Sequence, residues 1–281
     1  MKSLCLKDKD IENINSSELT LSILFTQDGL SYSLYHDESK RFYTLVSDKF
    51  NSEADLYVSK CIEMLEKEKI LNKNYKSVNI VFAGRKSTIV PEALYHEDSI
   101  EEIFALNFNK TEDEKILVCN MPKSGNVLIY SVNKNLYSEI SKHFPLMSVF
   151  PQSYSFIENH YQKNKIAEDS DIGKMFVQVF DDFIEIIVLK ESELKFYNTF
   201  SYKTNNDILY FIINVFEQLK LSQTETSIGF SGLIETDNLT ILNLRKFVQI
   251  VYFESQNPDY KYFYKFQETA PHYFYNFLNI C

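Results

Sequence analysis

The sequence predicts an α/β protein made of two mixed-sheet halves packed around a cleft. Three observations predict it. An order of three strands, a helix, a strand, a helix and a strand is readable twice along the chain, and a repeated βββαβα unit signals a duplicated layered architecture. Each repeat opens on strand-like runs joined by a short acidic turn, Asp28-Gly29 in the first and Asp181-Asp182 in the second. At 281 residues the chain is long enough to bury two cores.

Residues 1–18 are charged and rich in Asn and Ser, and are expected to fray as a flexible leader. LTLSILFT (19–26), LSYSLYH (30–36) and RFYTLVS (41–47) then read as a three-stranded meander. Asp-Gly between two such runs is a hairpin signal, because Gly accepts the positive φ of a tight turn. Across 51–72, apolar residues at Leu56, Val58, Ile62, Leu65, Ile70 and Leu71 form one helical stripe, which Asn51 or Ser52 can cap. KSVNIVFAG (76–84) reads as a buried strand, and in HEDSIEEIFALNF the Ser99 and Glu102 spacing is that of a capping box. Strands KILVCN (115–120) and NVLIYSV (126–132) and a helix over 134–143 follow. Pro151 is placed to open a helix over 151–164. The first half is therefore 19–165.

After a polar joint (165–173), the second half, 172–281, repeats the order. It has strands at KMFVQVF (174–180), FIEIIVLK (183–190) and ELKFYNTFSY (193–202), then a helix over 204–220. A strand at TSIGFSG (226–232), a helix from about 236 to 247 and a strand FVQIVYF (247–253) complete it. The aromatic C-terminal segment, Tyr252 to Phe277, reads as core, with a tyrosine-rich partner surface as its other use. Strict alternation in YKYFYKF would turn Tyr260, Tyr262, Tyr264 and Phe266 inward and Lys261, Phe263 and Lys265 outward. Base stacking normally comes with basic neighbours, and only Lys261 and Lys265 are near.

Composition narrows the function classes. A net charge of −10 with no basic stripe argues against DNA or RNA as partner. Cys5, Cys61, Cys119 and Cys281 form no CxxC and do not cluster with the histidines, so no zinc pattern arises. Unpaired thiols and the lack of a secretion-type start suggest the cytoplasm, and no apolar run reaches the length of a membrane span. His96, Glu97, Asp98, Glu101 and Glu102 are metal-type donors, but acidic residues there complement a helix start. Asp169-Ser170-Asp171 begins like a calcium loop and fails where Phe180 stands in place of the closing Glu. There is no G-x-S-x-G elbow, and no set of carboxylates spaced for a two-metal nuclease.

LTLSILFTQDGLSYSLY (19–35), TIVPEALY (88–95) and IGFSG (228–232) resemble a bacterial family found mainly in Bacteroidetes. Its structures have the actin-like ATPase fold, two ribonuclease-H-like halves, similar to the cytoplasmic parts of GspL and PilM. The resemblance implies that fold and no particular reaction. In active members of the wider superfamily, each half opens on a D-x-G hairpin whose turn holds phosphate or magnesium, and a glycine pair after a strand passes the adenosine. Here Asp28-Gly29 lacks the spacing residue, Asp181-Asp182-Phe183 lacks the glycine, and only Gly229 and Gly232 match the adenosine loop. Phosphate binding depends on backbone N–H groups that closely placed glycines expose. The expectation is therefore no catalytic residue, no cofactor and no metal, but a scaffold for a protein partner or for self-association. The alternative is a nucleotide-binding ATPase that takes Mg-ATP at Asp28, Gly29, Asp181, Asp182, Gly229 and Gly232. Either way, the turns at 28–29 and 181–182 should face one cleft.

Overall fold

The computed structural model describes residues 3–50, 54–167 and 171–280. The cap expected at Asn51 or Ser52, Asp169 and Ser170 of the joint, and Cys281 lie outside them. In chain order, the first part comprises β1 (Leu4–Lys7), β2 (Leu19–Thr26), β3 (Gly29–His36), β4 (Arg41–Lys49), α1 (Ala54–Lys67) and β5 (Ser77–Phe82). It continues through β6 (Ser87–Pro91), α2 (Ile100–Asn107), β7 (Glu114–Met121), β8 (Asn126–Asn133), α3 (Lys134–His143), β9 (Ser148–Pro151) and α4 (Ser153–Lys165). The second part comprises β10 (Lys174–Val179), β11 (Phe183–Lys190), β12 (Glu193–Ser201), α5 (Asn205–Gln218), β13 (Ser227–Gly232), α6 (Leu239–Leu244) and β14 (Ile250–Phe253). The C-terminal segment adds β15 (Lys261–Tyr262) and α7 (Tyr275–Leu278).

The two large sheets carry the same topology. In the first the order is β4-β3-β2-β5-β9, with β2, β3 and β4 antiparallel and β5 and β9 added parallel. In the second, β12-β11-β10-β13-β14 repeats that order and those directions. The fold is mixed α/β, as expected. Between β5 and β9 the first part also carries a separate antiparallel sheet, β6-β8-β7.

Period-two alternation explains the packing. Leu19, Leu21, Ile23 and Phe25 of β2 join Cys61 and Leu65 of α1 in one core, while Leu24 and Val81 face the other way. In the second sheet Met175, Val177 and Val179 alternate likewise and meet Ile208, Ile212 and Val215 of α5. Each such side chain contributes roughly 1.5–3 kcal/mol when fully buried. Helix α5 is set by a capping box: the Thr204 hydroxyl accepts from the Asp207 amide at 3.3 Å, and Asp207 accepts from the Thr204 amide at 2.9 Å.

Helix α4 is buried almost all round over its first two turns, which suits a central element better than an amphipathic one, and exposes Gln162, Lys163 and Lys165 near its end. Its Glu158 accepts from the amides of Lys123 (2.8 Å) and Ser124 (2.9 Å), holding the β7–β8 turn. Its Ser155 donates to the Asn276 carbonyl at 2.7 Å, holding α7.

Several local expectations are corrected. From Leu4 on, the expected leader is built into the fold: β1 pairs antiparallel with β4, Leu6 is buried, and Asp8 receives Arg41 at 2.6 Å. The open edge of β4 supplied ladder partners that composition could not reveal. Ser99 stands at the N-cap of α2 without a side-chain bond, so there is no capping box with Glu102. Pro151 ends β9 instead of opening α4, because the ladder to β5 runs on to the Gln152 amide, which donates to the Phe82 carbonyl at 3.0 Å. The strand expected at 247–253 begins at Ile250.

YKYFYKF also departs from strict alternation. Only Lys261 and Tyr262 pair with β4, after which the backbone tightens into a 3-10 turn over Tyr264–Glu268. A period near three brings Phe263 and Phe266 to the same side, against the first sheet, and leaves Tyr264 73% exposed. The segment is mostly core: Phe263, Phe266, Phe274, Phe277 and Leu278 cover Leu6, Leu24, Phe42, Leu45 and Val81.

Candidate functional site

The two acidic turns do meet, and what joins them is a lysine. β4 ends on Lys49, which the β3–β4 register places opposite Gly29. Its ammonium lies 2.7 Å from Asp28 Oδ2 and 2.6 Å from Asp181 Oδ1. Asp182 turns the other way, with Oδ2 3.5 Å from Arg85 Nη1. The adjacent carboxylates are thus shared between two cations, which removes the repulsion that a metal between them would otherwise relieve.

Electrostatics follow the geometry. Burial works against ionisation of Asp28, but the hydrogen bond and charge of Lys49 overrule it, helped by the Thr26 hydroxyl at 3.0 Å, and hold the carboxyl below its usual range. Burial likewise works against the charge on Lys49, and its bonds to Asp181 and Asp28 more than reverse this. The cluster is a closed ion triad at the mouth of a cleft that Gln178, Phe180 and Gly232 also line.

The glycines answer to packing. Gly29 does not adopt a positive φ, contrary to the hairpin expectation: β2 and β3 are joined by Gln27-Asp28, and the Gly29–Thr26 pair closes the turn. A side chain at 29 is excluded instead because its Cβ would stand 2.1 Å from the Asp48 carbonyl oxygen. Gly232 has φ +84°, and a Cβ there would stand 2.1 Å from the Val179 carbonyl oxygen, so it allows β13 to leave the sheet beside β10. Gly229 sits under the Tyr252 ring, with a Cβ position 2.8 Å from Tyr252 Cζ and 3.0 Å from Glu254 Oε1. Asp28, Asp181 and Gly232 are therefore brought to one cleft, Gly29 packs behind it, Asp182 points to Arg85, and Gly229 is covered elsewhere.

Mg-ATP, which the fold family brings to mind, does not suit this donor set. Magnesium would have to replace the Lys49 ammonium between Asp28 and Asp181, and the adenosine would have to displace Tyr252 from Gly229. Among the described residues, no three His, Cys, Asp or Glu side chains converge as a metal site.

A second polar cluster lies deeper, where the sheets meet. Glu185 of β11 is fully buried, and its Oε1 accepts from Ser153 (2.6 Å), Gln152 (2.9 Å) and Tyr197 (3.2 Å). Gln152 spans to the Gly84 amide and carbonyl at 3.1 and 3.0 Å, and Ser87 bonds Tyr197. Burial pushes the Glu185 carboxyl up to about 7, although its three donors pull the other way.

Sequence reading had missed Lys49 and Glu185. Lys49 was legible: pairing the strands of the meander from the 28–29 turn puts the end of RFYTLVSDK beside that turn. Nothing in FIEIIVLK says that the sheet would be covered on the side of its one carboxylate.

The family model described as "Protein of unknown function (DUF3822)" matches residues 8–251. No curated protein matches the chain. Among solved structures, one similar to it is a Bacteroides thetaiotaomicron protein with an actin-like ATPase fold and unknown function. The TM-score is 0.77 at 24% identity, over 88% of this chain and 93% of that one. A chain of the PilM-PilN type IV pilus biogenesis complex is also similar, with a TM-score of 0.60 at 9% identity, over 93% and 97%. Both likenesses are of fold.

Proposed function

This chain belongs to the DUF3822 family of proteins of unknown function, and on its actin-like ATPase fold we propose a non-catalytic scaffold that holds a protein partner or a second copy of itself. The observation that carries this reading is the Lys49 ammonium between Asp28 and Asp181. A resident cation of fixed position does there what a nucleotide's magnesium would do, so the two halves stay bridged without a ligand. We read residues 19–165 and 172–281 as those halves, with the aromatic C-terminal segment of the second crossing back onto the first sheet. That PilM was solved in a complex with PilN supports the idea that this architecture can receive a protein. A recess lined by Phe25, Thr26, Tyr57, Phe82, Arg85 and Glu114 offers mixed apolar and charged surface for such a segment.

Two observations support a place in the cytoplasm. Cys61 and Cys119 are free and buried, with thiols that burial pushes up to about 11 and about 12. No helix among the described residues is long and apolar enough to cross a membrane.

The test is calorimetry and thermal melting with Mg-ATP, on the wild type and on Lys49→Met. The wild type is expected to take up no nucleotide and to melt at an unchanged temperature; saturating binding at 100 times Kd would add about 2.7 kcal/mol and be plain to see. Lys49→Met should cost no more than about 1 kcal/mol, because the two carboxylates it leaves facing each other are 35% and 46% exposed and screened by water. Micromolar, magnesium-dependent ATP binding by the wild type, lost in Asp28→Ala, would overturn the reading in favour of the ATPase.

A further inference from the structure

β14 is an outer strand of the second sheet and pairs on one side only, with β13. The Glu254 amide donates to the Phe230 carbonyl at 2.9 Å, which fixes the phase of the strand. The amide and carbonyl of one residue point to the same side of a strand, and the sides alternate along it. Tyr252, like Glu254, therefore turns its backbone groups toward β13, while Val251 and Phe253 turn theirs outward. Among the described residues, none bonds the outward amides and carbonyls of Val251 and Phe253.

An open edge is a template for a further strand, and proteins blunt it with charge, proline or a bulge. The other outer strands of this molecule are blunted in these ways. β1 carries Lys7, β15 carries Lys261, and β7 carries Glu114 and Lys115. β6 and β9 end in Pro91 and Pro151. β12 carries Glu193 and Lys195 and meets β11 through a register shift. β14, Ile250-Val251-Tyr252-Phe253, has none of these devices, and only its shortness limits it. Its edge is open to water, with Ile250 44% and Tyr252 37% exposed.

The strand is complementary to its own copy. Two β14 strands set antiparallel about a two-fold axis at Tyr252 place Val251 of each copy opposite Phe253 of the other. Each such pair then exchanges both its hydrogen bonds, and every outward amide and carbonyl is used. Sliding one strand by two residues would set Phe253 opposite Gln249, whose amide is already bonded to the Gln223 carbonyl at 3.0 Å. Sliding it the other way runs past the end of the strand to Ser255. Charge agrees with the axis at Tyr252. The nearest ionisable residue in the chain, Glu254, falls opposite Ile250 of the other copy, so no like charges meet, and the two Tyr252 rings face one another.

We propose that β14 pairs antiparallel with β14 of a second copy of this chain, joining two second-half sheets into one across a two-fold axis. This rests on the scaffold reading and narrows it to self-association. Its test reads mass and cross-linking, whereas that reading stands or falls on nucleotide binding, so the failure of one is distinguishable from the failure of the other.

The experiment is sedimentation of the full chain over a range of concentrations, together with oxidative cross-linking. So short a ladder belongs with weak, transient interfaces, and monomer is expected to give way to dimer with a Kd of roughly 10–100 μM. Val251→Pro removes an outward amide that no strand of the monomer uses, so it should weaken the dimer at least about tenfold and leave the far-ultraviolet spectrum unchanged. In a Cys5→Ser, Cys281→Ser background, Tyr252→Cys should link copy to copy on oxidation. A non-hydrogen-bonded pair stands about 4.5 Å apart at Cα, within disulfide reach. Ile250→Cys, which lies opposite Glu254 and not opposite itself, should link at least about tenfold more slowly. Should Tyr252→Cys fail to fold, the exposed Ile250 serves instead: Ile250→Glu would face Glu254 of the other copy and weaken the dimer about tenfold, and Ile250→Lys would not weaken it. Three results would overturn the proposal: a monomer at every concentration, a dimer indifferent to Val251→Pro, or cross-linking at position 250 as fast as at 252. The first would leave this edge to a strand of a different protein.

Discussion

Phe266→Ala is expected to cost about 3–5 kcal/mol and Phe263→Ala about 3 kcal/mol, while Tyr264→Ala stays within about 0.5 kcal/mol. Phe266 is 1% exposed, between Phe42, Tyr262 and Phe263, with ring centroids at 6.4, 5.2 and 5.2 Å. Phe263 packs edge-on to it in the same cluster, over the face of the first sheet that carries Leu24, Phe42 and Leu45. Deleting either ring leaves a cavity that neighbours pinned by strand pairing cannot close. Tyr264, next to Phe263 in sequence, points to water. Urea melts of the three variants check this. A large loss at Tyr264 with little loss at Phe263 would restore strict alternation and show the 3-10 turn to be wrong.

The second large effect is on pH dependence, and it comes from Glu185. Its carboxyl titrates near 7 in the folded protein against 4.5 ordinarily, chiefly because burial disfavours the charge. Below 4.5 the folded and unfolded states are both protonated, and the contribution to stability is fully present. Between 4.5 and 7 the unfolded chain gives up a proton that the folded protein keeps, so stability falls as pH rises, levelling off above 7 after a loss of about 3 kcal/mol. Glu185→Gln keeps the acceptor used by Ser153, Gln152 and Tyr197 and removes the titration. Urea melts at pH 4.5 and pH 8 should therefore show the wild type losing about 3 kcal/mol more than the variant. Glu254, which burial also lifts to about 7, contributes to the slope left in the variant. His160 acts in the opposite sense: burial lowers it to about 3, so its contribution is lost as pH falls below its ordinary 6.5. Parallel losses in wild type and Glu185→Gln would show that Glu185 is ionised when folded.

The expected meander, β2 to β4, and its counterpart, β10 to β12, stand within a residue or two of their structural bounds. The helix over 134–143 matches α3 residue for residue. These elements were legible because their residues alternate with period two or recur along one stripe, and such local patterns survive any tertiary context. The strand at Ser87–Pro91 was passed over because STIVP is short and ends in Pro, and it pairs only because β8 lies beside it.

For the site, the acidic turns and their approach to one cleft were readable from the duplicated order of elements, since equivalent turns of two similar halves lie at equivalent ends of their sheets. Gly229 and Gly232 were readable as glycines but not as to purpose. Their neighbours, Tyr252 and Val179, are brought up by strand pairing and not by sequence proximity.

By itself, then, the sequence determined the class of fold, the duplication, the hairpins and the absence of a complete phosphate loop, all of which rest on residue type and short-range spacing. Only the tertiary structure decided that β1 and the C-terminal aromatics belong to the first sheet, that Lys49 locks Asp28 to Asp181, and that Glu185, His160 and Asn164 are buried. These are contacts between residues as far apart in the chain as Arg41 and Lys261. Whether a polar group is paired, charged or orphaned depends on what covers it, and that is settled when the two sheets and α4 close over one another.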